Sequence, residues 1–362
     1  METIIEIRKE LHAHPGISGE EEYAHDLICR ELSLLAPDGM ERNVGGYGVV
    51  AYWSCGKSDA KTIAFRADID ALPTGHRCGH DGHTAIMIDV ARRVSKRKSA
   101  GSLRYNVVLV FQPEEETGKG AKKIVKSGIL EKYGVAAIFG MHNLPGYERG
   151  TIVVSHDMFA AASCGVHYML HGRTTHASTP EKGINPGLAI SEIISGVDKL
   201  SDMRTGSFKL CTLICCRLGE EAFGTSAGDG EIMYTLRSFT DSGMKELMEQ
   251  VDKCVIVSSN RYGLELSKRV REPFRATVND ARLSEKVEQI FRESGRELEL
   301  IRKPFRWSED FAEYQQRIPG VFFGVGSGKE QQELHHPRYV FPDEIIECAA
   351  DCFEMIMNNI EI

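Results

Sequence analysis

Apolar runs in this chain stop repeatedly at side chains suited to binding metal or moving protons. Residues 62–65 lead into Arg66-Ala67-Asp68-Ile69-Asp70, and the run 105–111 stops at Gln112-Pro113-Glu114-Glu115-Glu116. Residues 135–139 end at Gly140-Met141-His142-Asn143, and the glycine-rich run 320–326 precedes Leu334-His335-His336-Pro337. Helical periodicity lies between several of these runs, so the pattern predicts strands alternating with helices and a largely parallel sheet. In such sheets, sites form beyond the carboxyl ends of the strands. Asp68, Asp70, Glu114 to Glu116 and His142 are therefore expected to converge on one crevice.

The densest cluster is Arg77-Cys78-Gly79-His80-Asp81-Gly82-His83, where a loop enters a helix expected over 84–96. A thiol, imidazoles and a carboxylate held by a loop and anchored by a packed helix suit a metal site. Read alone, the stretch has a surface turn with a buried cysteine as its lesser alternative, while Glu114 to Glu116 read alone are equally a solvated charge run. His12 and His14 close a first helix, expected over 3–13, before Pro15-Gly16, and read as structural. Ser18 and Glu21 resemble a capping box opening a second helix to about residue 35.

With 362 residues, two domains are expected. The texture changes near residue 160. Residues 164–171 alternate as a half-exposed antiparallel strand, 208–216 and 231–239 read as further strands, and 185–200 and 241–257 as helices. The fold class is thus α/β: a mostly parallel-sheet domain over 1–163 and 271–362, with an inserted α+β domain over 164–270. A net charge of −8 without a basic stripe makes nucleic acid a poor partner. No apolar run approaches the length of a membrane span, and the start lacks the pattern of a signal peptide. The ten scattered cysteines read as reduced thiols, which with the missing export signal makes a cytoplasmic location the default.

Cys78-Gly79-His80-Asp81-Gly82-His83, Phe111-Gln112-Pro113 with Glu115-Glu116, Gly140-Met141-His142 and His335-His336-Pro337 together resemble the M20 metallopeptidase family. They are most similar to its amidohydrolase branch, and the likeness extends over nearly the whole chain. The resemblance implies a pair of divalent cations (Zn, Mn, Co or Ni) held by Cys78, His80, Glu116, His142 and His335. Glu115 falls at the family's general base and later acid, and Asp70 at a position that orients ligands. His83 and His336 are weaker candidates. In the inserted domain, Thr175-His176-Ala177 resembles the segment whose histidine reaches a substrate oxygen, although His176 also reads as a polar loop residue. The resemblance further implies that this domain is a lid and the contact of a homodimer.

The implied reaction is hydrolysis of an N-acyl amino acid, with Glu115 taking a proton from water and returning it to the leaving amine. A dipeptidase or aminopeptidase is the alternative within the same chemistry, and a non-catalytic metal-binding scaffold lies outside it. Arg237 suits either a substrate carboxylate or an interstrand salt bridge. Two departures from the family pattern bear on the substrate: a short loop, Thr74 to Arg77, and the segment Phe223 to Glu231, containing Ser226, where the family often carries an asparagine.

Overall fold

The computed structural model describes residues 2–362. Along the chain come α1 (Ile4–Ala13), α2 (Glu22–Ser33), β1 (Gly39–Val44), β2 (Gly48–Trp53), β3 (Thr62–Asp68), α3 (His80–Ser99), β4 (Asn106–Gln112), α4 (Gly120–Lys126), β5 (Val135–Pro145) and β6 (Ile152–Val154). Next are β7 (Ala162–His171), α5 (Gly187–Asp198), β8 (Lys209–Leu218), β9 (Asp229–Ser238), α6 (Asp241–Arg261) and β10 (Glu265–Phe274). The chain closes with α7 (Ala281–Glu293), β11 (Leu298–Leu300), β12 (Gly320–Gly328) and α8 (Ile346–Asn359).

Two compact units result. The first comprises Met1–Phe159, Thr277–Arg302 and Asp310–Ile362, and the second Ala160–Ala276 and Lys303–Glu309. The sequence borders of 163/164 and 270/271 lie inside strands, because β7 begins at Ala162 and β10 runs on to Phe274. The sequence reading also lacks β1 and β10. Both are sheet edges, rich in charge (Glu41 and Arg42; Lys268, Arg269 and Arg271), and such edges carry little apolar alternation.

The first unit holds an eight-stranded sheet in the order β1-β2-β4-β3-β5-β12-β6-β11. β3 runs parallel to β4 and β5, β5 to β12, and β6 to β11. Antiparallel pairs lie at β1–β2, β2–β4 and β6–β12. The central strands are buried throughout, which explains their unbroken apolar runs. Phe65, Phe139, Phe323 and Phe353 belong to one core, with α3 and α8 contributing Ile86, Val90, Val94 and Ile356.

His142 lies inside β5 and not beyond it, because β12 keeps pairing with β5 as far as Pro145. β3 ends earlier. Arg66 pairs with Gly140, so His142 sits level with the last residue of β3, Asp68. The Ser18 capping box does not form: α2 starts at Glu22 without a side-chain cap, and Ser18 turns to Asp70 instead. A capping box stands at α1, where Thr3 and Glu6 satisfy each other's backbone N–H, an arrangement worth about 1 kcal/mol.

The second unit is a four-stranded antiparallel sheet, β8-β9-β7-β10, covered by α5 and α6. Val166, Tyr168 and Leu170 of β7 pack with Ile190, Ile193, Leu247 and Val251. Among the described residues, no helix is long and apolar enough to cross a membrane.

Candidate metal centre

Four segments of the first unit bring candidate donors together. Cys78 and His80 lie where a tight turn enters α3, Glu115 and Glu116 follow β4, His142 lies on β5, and His335 follows β12. Cys78 Sγ is 3.6 Å from His142 Nε2. His80 Nε2 is 3.9 Å from Glu116 Oε1 and 4.0 Å from Glu115 Oε2, and His335 Nε2 is 3.8 Å from Glu116 Oε2. The donors of Cys78, His80 and His142 lie within 4.8 Å of one another, as do those of Cys78, Glu116 and His335, and those of His80, Glu115 and Glu116. Donors sharing an ion at bond lengths of about 2.0–2.3 Å stand about 3–4 Å apart.

Glycines at the turn and in the first turn of α3 make this approach possible. Gly79 precedes α3 with φ of +97°, and a Cβ there would lie 2.7 Å from Asn143 Oδ1. A Cβ on Gly82 would lie 2.3 Å from the Phe341 ring. His335 also adopts a left-handed backbone, φ +66°, held by its N–H donating to the Arg77 carbonyl at 2.8 Å.

Backbone carbonyls orient two of the imidazoles. His142 Nδ1 lies 2.8 Å from the Asn143 carbonyl and His80 Nδ1 3.0 Å from that of Asp70. Each Nδ1 therefore carries its proton toward a carbonyl, which leaves Nε2 as the donor atom for a metal. Asp70 acts twice more: its Oδ2 accepts from the Glu116 N–H at 3.0 Å and from Ser18 Oγ at 2.6 Å. His83 is engaged at both nitrogens, with Nδ1 2.6 Å from Asp68 Oδ1 and Nε2 2.6 Å from Asn143 Oδ1. That leaves it a positioning part and not a free donor.

The titration of the cluster follows from burial. Burial, then Glu116, pushes the Cys78 thiol well up. Burial, then His83, holds His142 well below the usual imidazole range and so neutral. Burial raises Glu116 to about 7. For His80 burial acts downward, but Asp68 and Cys78 outweigh it and hold the imidazole well up. Cys78, His80 and Glu116 thus hold protons that a cation would displace, whereas the neutral His142 offers its Nε2 directly.

Beneath the donors lies a network with little local sequence signal. Arg66, fully buried, donates to Asp68 Oδ2 at 2.7 Å, to Asp310 Oδ1 at 2.8 Å and to Gln112 Oε1 at 2.8 Å. Asp310 also accepts from Gln112 Nε2 and the Ala121 N–H, tying the β4 loop and α4 to the sheet. Nothing around Ser308-Glu309-Asp310 marks it in sequence. Asn143 and Tyr339, bonded to each other, are likewise legible only in three dimensions.

His176 and Arg237 belong to the second unit. His176 pairs in a two-residue strand with Thr225 and is exposed. Its Nδ1 accepts from the Ser178 N–H at 3.1 Å, so the free Nε2 carries the proton and is a hydrogen-bond donor. Arg237 donates Nη1 to the Arg306 carbonyl at 2.9 Å and to Ser308 Oγ at 3.1 Å, so these contacts are with neutral oxygens and not an interstrand carboxylate. The segment containing Ser226 lines a cavity of about 540 Å³ together with Met169, His171 and Arg217.

The residues present fit a metal. His80 Nε2 and Glu116 Oε1 are buried without a hydrogen bond, face each other across 3.9 Å, and belong to a thiol, imidazole and carboxylate donor set. An α/β sheet carrying such a cluster at its strand ends is the architecture of a metal-dependent hydrolase. Residues 64–359 match peptidase family M20/M25/M40, and the chain belongs to that family. It is 30% identical to an uncharacterized hydrolase of Staphylococcus saprophyticus, over 99% of this chain and 97% of that protein. Its structure is similar to that of the Bacillus subtilis YxeP protein, described as a dinuclear metal binding peptidase of the M20 family (TM-score 0.82, 27% identity, 98% of this chain and 96% of the other). An aminobenzoyl-glutamate utilization protein from Klebsiella pneumoniae shares the fold (TM-score 0.75, 19% identity, 98% and 94% covered).

Proposed function

We propose that this protein hydrolyses the amide bond of N-acyl amino acids. The observation that carries the reading is Glu115, its Oε2 4.0 Å from His80 Nε2 and its donor atom within 4.8 Å of those of His80 and Glu116. Cys78, His80, Glu116, His142 and His335 are the residues we assign to two divalent cations (Zn, Mn, Co or Ni). Bound there, the cations polarise the acyl carbonyl and lower the pKa of a water. Glu115 then takes the proton of the attacking water on a carboxylate oxygen and delivers it to the leaving nitrogen. Asp70 keeps His80 and Glu116 in place, and His176 donates its Nε2–H to the developing oxyanion. Arg237 is the candidate cation for the substrate carboxylate.

A dipeptide is chemically also an N-acyl amino acid, and the B. subtilis relative is called a peptidase, so dipeptide hydrolysis is the second reading. We assign the second unit to lid and dimer contact: the edge strand β8 exposes Leu213, Ile214 and Leu218. A cytoplasmic location accords with the scattered free cysteines.

The test is hydrolysis of N-acetyl, N-benzoyl and indoleacetyl amino acids beside dipeptides, using metal-stripped protein refilled with Zn, Mn, Co or Ni. Metal-dependent release of the free amino acid from acyl substrates is expected. Cleavage of dipeptides alone would replace the first reading by the second. Absence of turnover in metal-loaded protein would leave a binding scaffold.

A further inference from the structure

The turn between α1 and α2 contains two side chains that reach out of their own segment and into the loops carrying the site. Ser18 Oγ donates to Asp70 Oδ2 at 2.6 Å, and that same oxygen accepts the Glu116 N–H. Glu21 is fully buried, and its Oε1 accepts from the Gly19 N–H and the Glu114 N–H, each at 2.9 Å. The turn is itself anchored, since the Ala71 N–H donates to the Gly16 carbonyl at 2.8 Å and Ile17 bridges Ala71. Gly16 cannot be replaced without moving it: a Cβ would lie 2.5 Å from the Glu20 carbonyl oxygen.

The residue held by Glu21 needs holding. Glu114 has a left-handed backbone, φ +53°, which costs a non-glycine residue of order 1 kcal/mol and persists only where its surroundings impose it. That conformation turns the chain directly after Pro113, so that Glu115 and Glu116 follow toward His80. A peptide whose N–H were left unpaired in this buried place would lose about 1–3 kcal/mol, enough to favour a different turn.

We infer that Ser18 and Glu21 are positioning residues for the site's two carboxylates, Ser18 through Asp70 and Glu21 through the Glu114 backbone. The inference rests on the assignment of Glu115 as base and Glu116 as ligand. Neither residue touches substrate or metal. Their effect is on where the carboxylates stand, and so on metal affinity and kcat more than on KM.

The test uses the full chain with Ser18→Ala, Ser18→Thr, Glu21→Gln and Glu21→Ala. Manganese and zinc affinities of the metal-stripped proteins are measured by competition with a chromophoric chelator. Amide hydrogen exchange of residues 113–118, the unfolding midpoint without metal, and kcat and KM are followed alongside. Ser18→Ala is expected to weaken metal binding about tenfold, as removal of a residue behind the ligands commonly does, and to lower kcat at near-constant KM. Ser18→Thr, which keeps the hydroxyl, should restore both. Glu21→Ala should speed exchange over 113–118 beyond any global change, with Glu21→Gln, which keeps the acceptor oxygen, close to the parent. Parent-like metal affinity and exchange in Ser18→Ala and Glu21→Ala, whatever their unfolding midpoints, would overturn the inference. Should Glu21→Ala fail to fold, Ser18→Ala decides. Should the parent cleave no amide or bind neither metal, the functional reading fails while the exchange measurement still decides this one.

Discussion

The Cys78 sulfur lies 3.6 Å from His142 Nε2, and the two are buried at opposite extremes of protonation, the thiol held protonated and the imidazole held neutral. A cation entering between them must displace the thiol proton. Metal affinity is therefore expected to rise with pH, with release of at least one proton per site. Calorimetric titration of zinc in buffers of different ionisation enthalpy measures that release. Cys78→Ser, whose hydroxyl does not ionise in this range, should bind more weakly and with less pH dependence.

Glu115 Oε2 stands 4.0 Å from His80 Nε2, beside the donors we assign to metal. Glu115→Gln is expected to lower kcat by about 10²–10⁴-fold, the usual loss of a general base, with metal content unchanged. Metal analysis and steady-state kinetics on one preparation check it. Retained activity at full metal content would remove Glu115 from the mechanism.

Asp310 accepts from Arg66, from Gln112 and from the Ala121 N–H, all in the interior of the first unit. Asp310→Ala removes a carboxylate that pairs with the buried Arg66 guanidinium. Breaking one side of a buried ion pair costs about 3–5 kcal/mol, so the urea midpoint should fall steeply. A shift worth under 1 kcal/mol would show that the network contributes little.

Glu21 carries a pH signature of its own. Burial raises its carboxyl from 4.5 to about 6, so the folded state binds the proton more tightly than the unfolded chain. The resulting stability is fully present below about pH 4.5 and is lost as pH rises through about 6. The shift corresponds to about 1–2 kcal/mol. Glu21→Gln should remove this component, seen as the difference between the two proteins' urea stabilities from pH 4.5 to 7.

Cys348 opens onto a cavity of about 340 Å³ and accepts from Arg296 Nη1 at 3.1 Å. Hydrogen bonding from Cys352, together with the Arg296 charge, brings its thiol down to about 7 against the opposing effect of burial. Iodoacetamide at neutral pH is expected to label Cys348 ahead of the buried Cys29, Cys164 and Cys352, with a rate half-maximal near pH 7. Arg296→Gln should move that midpoint upward, as peptide mass spectrometry across pH will show.

The parallel sheet was legible from its strands because those strands are buried on both faces and contain little but apolar residues, as in Val107 to Phe111. β1 and β10 were not, since an edge strand needs no apolar face and its charges resemble those of a loop. Cys78, His80, Glu115, Glu116, His142 and His335 were nameable because each lies in a short motif.

What the sequence by itself determined is therefore the strand and helix alternation, the family, and the set of candidate donors. Those are local properties, written in periodicity and short motifs. Tertiary structure alone decided that Ser18 bonds Asp70 instead of capping a helix, that Glu21 holds Glu114, and that Asp310 anchors Arg66. Each joins residues 52, 93 and 244 positions apart respectively. No periodicity spans such distances. A buried polar group finds its partner only once the chain has closed around it, because water satisfies it equally well before then.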